Sequence, residues 1–91
     1  IAATACSYGV VVCPHWFHDV HAPLVAATPN ARYVEFFHDD QVLNFRRLVD
    51  RQLEHHDGRV MLHQTPGLGF GFDEAAVSQF GRWVHVKPGA A

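Results

Sequence analysis

An α/β fold is the expectation, and three observations predict it. Two short apolar runs, Val10–Cys13 and Tyr33–Phe37, have the look of buried strands. The chain between them is about as long as one crossover helix, as a strand–helix–strand unit of parallel neighbours requires. The first run is followed at once by Pro14 and His15, and the second carries Glu35. If the two strands are parallel, both side chains emerge at one rim of the sheet, where α/β proteins keep their chemistry.

Each element can be justified in turn. Ile1–Tyr8 resembles the end of a helix, and Gly9 suits the left-handed position that closes one. A run as uniformly apolar as Val10–Cys13 expects cover on both faces, which two strands cannot supply. The chain therefore reads as the C-terminal piece of a larger protein. Pro14 removes a donor where the chain leaves the sheet, and His15, Trp16 and Phe17 follow as a loop. Asp19 is placed to cap a helix to about Thr28, with Val20, Leu24 and Ala27 on one face and Pro23 in the first turn. Thr28-Pro29-Asn30 ends it, and the crossover should be right-handed.

After a polar loop at His38–Gln41, Val42, Phe45, Leu48, Val49 and Leu53 follow a roughly helical period. Asp57-Gly58 is a hairpin signal, leading into a strand at Arg59–Leu62. The run from Thr65 to Gly71 is too rich in glycine for regular structure; a tight backbone crossing is its simplest use. Asp73 caps a short helix from Glu74 to Phe80 that Gly81 ends. Trp83–Ala91 shows no period.

Composition narrows the function. Ninety-one residues make at most one small domain, with 48% hydrophobic residues and a formal net charge of -2. That balance makes no electrostatic case for nucleic acid or an anionic membrane. No apolar run approaches the roughly 20 residues of a membrane span, and no signal peptide is visible. Cys6 and Cys13 lack zinc spacing and read as free, buried thiols of a reducing compartment, so a cytoplasmic location is expected. Eight histidines are unusual, and they would carry the charge positive as pH falls from 7 to 5.

His15 is either a loop histidine or a general acid–base, its reference pKa of ~6.5 being close to working pH. Glu35 is either paired with Arg32 or another arginine, or a carboxylic acid at a site mouth that donates a hydrogen bond to a substrate oxygen. His18 and His21 have metal-ligand spacing on a helix but no third partner, so no metal ligand is assigned. Gly67, Gly69 and Gly71 lack the Lys-Ser/Thr of a phosphate loop.

Val-Cys-Pro-His15, Ala-Ala-Thr-Pro-Asn-Ala-Arg-Tyr-Val-Glu35, Asp57-Gly58-Arg-Val-Met-Leu and Pro66-Gly67-Leu68-Gly69-Phe-Gly-Phe-Asp73-Glu74 together resemble the C-terminal end of the mandelate racemase/muconate lactonizing enzyme family of the enolase superfamily. The Asp-Gly, Pro-Gly-Leu-Gly and Asp-Glu spacing is the most specific part. His56 and His63 depart from it, standing where such tails more often carry an apolar residue and a proline. The resemblance implies the last two strands of a modified TIM barrel in residues 1–50. It implies that residues 51–91 form a tail returning to an α+β capping domain absent from this sequence. It further implies abstraction of a proton α to a carboxylate, with Mg2+ held by ligands outside this chain. His15 matches the acid–base after the seventh strand, and Glu35 the hydrogen-bond donor of the eighth.

The expected function is thus part of a magnesium-dependent enzyme acting on a hydroxy acid or acid sugar, a dehydratase in preference to a racemase or epimerase. His15 and Glu35 are the catalytic candidates, and Trp16 and Phe17 the substrate-binding ones. The partners expected are a small carboxylate substrate and the missing N-terminal part of the same protein; a homo-oligomer is open. This chain alone should be inactive. Two rivals stand: a non-catalytic fragment or subunit docking on a partner chain, and a histidine-rich metal-binding module.

Overall fold

Ala2–Ser7 forms α1 in the computed structural model, which describes residues 1–89. The Val10 N–H reaches back to the Ala5 carbonyl at 2.9 Å and the Gly9 N–H to Cys6 at 3.0 Å, with Gly9 left-handed at φ 68°. This is the double closure of a helix end that only an unhindered residue accepts readily, as expected for Gly9.

The two expected strands shrink to a single parallel bridge, Val12 to Ala31. Val12 donates to the Asn30 carbonyl at 2.9 Å, and Arg32 donates back to Val12 at 3.3 Å. The parallel sense is the one expected, but pairing falls at Ala31 and does not extend along Tyr33–Phe37. Two isolated strands have no neighbours to lengthen the ladder, and Pro14 removes the next donor. Asn30 compensates by donating its side-chain amide to the carbonyls of Ala2 (3.0 Å) and Val10 (3.1 Å), tying α1 and the bridge together.

The crossover helix α2 spans His18–Ala27, starting two residues earlier than a cap at Asp19 would give and ending one residue before Thr28. Its cap position is Phe17, left-handed and without a side-chain bond, so Asp19 is not the cap but lies inside the first turn. Pro23 consequently sits deeper in the helix, and the Asp19 carbonyl loses the partner it would have had four residues on. The Thr28 hydroxyl closes the far end on the Leu24 carbonyl at 2.6 Å.

A 3-10 turn, Phe45–Leu48, replaces the expected longer helical segment. Its tighter winding shifts the apolar face: Leu43, Val49 and Leu53 are buried, while Val42 is exposed. The hairpin strands are β1 (Glu54–His56) and β2 (Arg59–Met61), antiparallel with His56 opposite Arg59. Asp57 (φ 49°) and Gly58 (φ 72°) form the two-residue turn with both φ positive that matches the strand twist.

The glycine run crosses back over the chain. Gly69 is buried with φ 81°, and a Cβ there would collide with that of His63. Gly71 and Asp50 exchange bonds: the Gly71 N–H donates to Asp50 Oδ1 at 2.8 Å, and the Asp50 N–H to the Gly71 carbonyl at 3.0 Å. An antiparallel bridge joins Val49 to Phe72. A carboxylate already fills this loop, so it is a crossing and not a phosphate cradle. Asp73 then caps α3 (Glu74–Phe80), its Oδ1 accepting from the Ala76 N–H at 3.0 Å. The last two residues of the expected 51–91 tail, Ala90 and Ala91, lie outside the described residues.

The described residues form a small α+β arrangement with little interior. Ala22, Leu43, Val49 and Leu53 are its buried apolar side chains, while Val10, Val11, Tyr33 and Trp83 stand exposed. The radius of gyration is 16.4 Å, against about 12 Å for a compact chain of this length.

Candidate active site

The site begins with two consecutive left-handed residues. Trp16 (φ 69°) and Phe17 (φ 36°) occupy a region that bulky side chains enter only at a cost of roughly 1–3 kcal/mol each. The surroundings hold them there. The Trp16 N–H donates to Glu35 Oε2 at 2.7 Å, and the Trp16 carbonyl accepts from His21 Nδ1 at 2.8 Å. A carbonyl only accepts, so this His21 nitrogen carries the proton. The Phe17 carbonyl takes the N–H groups of Val20 and His21, both at 3.0 Å, starting α2.

This reversal brings the first segment onto the second. His15 Nε2 lies 3.6 Å from Glu35 Oε2, too long for a hydrogen bond but within reach of an ion pair or a shared proton-carrying ligand. The His15 side chain is 78% exposed and that of Glu35 41%, so the rim is open to solvent. Glu35 therefore has His15 and the Trp16 amide as partners, and no arginine pair forms with it among the described residues. Its Oε2 accepts from the amide, which leaves Oε1 without a protein partner among the described residues.

The two aromatic candidates diverge. The Trp16 ring is half-buried, 5.4 Å from the His15 ring and 5.4 Å from that of Phe37, and forms a wall beside the imidazole. Phe17 turns instead to Phe45 (5.6 Å, edge-on), which also meets Phe70 and Phe72. That cluster joins the loop to the glycine crossing. A cleft of about 730 Å³, lined among others by Ala22, Tyr33, Phe36, His55 and Arg59, includes neither His15 nor Glu35.

Beneath the rim lies a buried pair whose members the sequence reading took separately, His18 with His21 as a metal spacing lacking a third ligand and Asp19 as a helix cap. His18 is 3% exposed and Asp19 1%. His18 Nδ1 accepts the Phe37 N–H at 3.4 Å, so in the neutral ring Nε2 bears the proton, and Asp19 Oδ2 lies 3.3 Å from that nitrogen without a hydrogen bond to it. Burial pushes the His18 imidazole below the usual histidine range; Asp19 pulls it back and Arg46 adds to the lowering. Neither Asp19 side-chain oxygen has a hydrogen-bond partner. The Phe36 ring packs on His18 at 4.5 Å. The available signal was the run His15-Trp16-Phe17-His18-Asp19, too dense in functional groups for an ordinary loop.

These donors do not fit a divalent cation. One carboxylate and an imidazole are too few for magnesium, which prefers six oxygens. Among the described residues no group of three or more His, Cys, Asp or Glu converges. Nor is any described helix long and apolar enough to cross a membrane.

Residues 1–76 match the enolase C-terminal domain-like family, and the chain belongs to that family, within the enolase superfamily. It is also similar to an L-talarate/galactarate dehydratase of Salmonella typhimurium (strain LT2), with 38% identity over 82 residues. That alignment takes in 90% of this chain but only 18% of the dehydratase, so the chain spans about a fifth of the length of that relative. No solved structure gives a significant match.

Proposed function

We propose that this chain supplies the last two strand positions of a barrel, and half of an active site, to a magnesium-dependent acid-sugar dehydratase. The observation that carries the reading is the His15–Glu35 pair at 3.6 Å, locked by the Trp16 amide, in a chain of this family. His15 delivers the proton from its Nε2 to a departing β-hydroxyl, which leaves as water. Glu35, protonated at Oε1, donates to the substrate carboxylate as the α-carbon loses its proton and enediolate charge builds there. The base that takes this proton lies outside the chain. Magnesium, with ligands likewise outside it, supplies electrostatic stabilisation of the enediolate in this family. Trp16 walls the substrate beside His15, and Phe17 shapes the loop behind it.

The exposed Val10, Val11, Tyr33 and Trp83 suit a chain that covers them against the rest of one longer polypeptide. Residues 51–89 would run back to a capping domain, and a cytoplasmic setting suits the two free thiols. Substrate choice follows the relative: six-carbon sugar diacids of the galactarate and talarate type come first, with racemisation or epimerisation the second reaction to assay.

The test is made in the full-length protein. It should convert an acid sugar to the corresponding 2-keto-3-deoxy acid in a magnesium-dependent manner. His15→Asn should abolish that turnover while the protein stays folded. Undiminished dehydration by this variant would remove His15 from the chemistry. Turnover of no acid sugar, with exchange of no α-proton in deuterated water, would overturn the dehydratase reading itself.

A further inference from the structure

The His18–Asp19 pair is used by nothing in the chemistry above, yet His18 joins the two halves of the rim. His18 follows His15 by one turn of chain, and its Nδ1 takes the N–H of Phe37, two residues beyond Glu35. His18 is 3% exposed and Phe37 is half-buried, so loss of this acceptor leaves the Phe37 N–H without its protein partner. Asp19, 1% exposed and with neither oxygen hydrogen-bonded, lies 3.3 Å from the opposite ring nitrogen. Its negative charge beside Nε2 favours the proton on that nitrogen and leaves Nδ1 as the acceptor. The backbone bridge between the two segments ends at Arg32. From there to Phe37 the registration of Glu35 against His15 depends on side chains, namely Glu35 itself and His18.

We propose that His18, its tautomer set by buried Asp19, is the positioning residue that registers the Glu35 segment against the His15 loop and so sets the separation of the acid–base pair. The inference rests on the roles proposed above for His15 and Glu35, but its first readout does not need them. His18 touches no substrate. It acts through the Phe37 backbone, and the Trp16 amide bond to Glu35 reports whether the register holds.

Amide hydrogen exchange in the full-length protein tests this. His18→Leu keeps the volume and removes the acceptor. Exchange should speed about tenfold at Phe37 and, if His18 sets the register, at Trp16 as well. His18→Gln, which can accept from Phe37 and donate to Asp19, should restore both. Faster exchange at Phe37 with Trp16 unchanged would reduce His18 to a local packing residue and overturn the proposal. Should His18→Leu fail to fold, ring-labelled histidine spectra of the unaltered protein decide the matter: the Nε2–H tautomer is required, and an Nδ1–H tautomer overturns it. In turnover, His18→Leu should lower kcat about 100-fold with little change in KM, as a small misplacement of reacting groups does, and His18→Gln should recover most of it. An unchanged kcat in His18→Leu, beside an inactive His15→Asn, would sink the positioning role while leaving the dehydratase reading intact.

Discussion

Residues 9–37 and residues 54–81 are built on different logic. In the later region each turn is specified by the residues within it: Asp57-Gly58 makes its hairpin, Asp73 its cap, and Gly69 its crossing. In the earlier region the geometry that matters is imposed from a distance. Trp16 is held left-handed by Glu35, nineteen residues on, and the Glu35 segment by His18, nineteen residues before Phe37. Locally specified turns place the tail, whereas the site is assembled by contacts between segments that have little sheet to align them. Substitutions should therefore fail in different ways, with loss of chemistry at the rim and loss of stability in the tail.

The largest effect expected on this contrast is at the rim. Glu35→Gln removes the acid that donates to the enediolate but can still accept from the Trp16 amide. Turnover by the full-length protein should fall by 10²–10³-fold, about 3 kcal/mol in the barrier, with the thermal midpoint little moved. A matching fall in stability would mean that Glu35 serves mainly to hold Trp16.

Next comes Gly69→Ala in the tail, where a left-handed residue meets the His63 side chain. It should cost about 2–3 kcal/mol of stability in denaturant unfolding. Gly67→Ala is the control: φ is 76° but nothing lies within 4 Å of the added Cβ, so only about 1 kcal/mol is expected. Equal losses would show that the crossing is looser than its geometry. Asp73→Ala, which strips the α3 cap, belongs at about 1 kcal/mol, and a tail built from local signals should show it without any change in KM.

The same contrast explains what the sequence disclosed. Gly9, Asp57-Gly58 and Asp73 act through their own backbone neighbours, so their turns could be read residue by residue. The parallel sense of the Val10–Cys13 and Tyr33–Phe37 segments was legible from the crossover length, but the place and extent of pairing were not: the bridge falls at Ala31, with no further described strand beside it to lengthen the ladder. Asp19 looked like a cap because Ser, Thr, Asp and Asn usually are. What displaced it was a pair of left-handed aromatic residues, a conformation that no propensity assigns to Trp16 and Phe17. His15 and Glu35 could be placed at one rim from strand position alone. The Trp16 amide and the His18–Asp19 pair beneath them could not, since both depend on which side chain the second segment meets.

The smallest effect is also the most direct probe of the buried pair. His18 has its pKa lowered in the folded protein, by burial first, with Asp19 opposing and Arg46 reinforcing. Above the unfolded value of ~6.5 both states hold a neutral imidazole, and the pair's contribution is fully present. Below it the unfolded chain binds a proton that the native ring resists, so stability falls as pH drops from about 6.5 toward the lower folded value. Thermal unfolding of the full-length protein between pH 7.5 and 5 should show this acid-side loss, and His18→Gln should flatten part of it. A slope unchanged in His18→Gln would move the pH-sensitive group out of the buried pair.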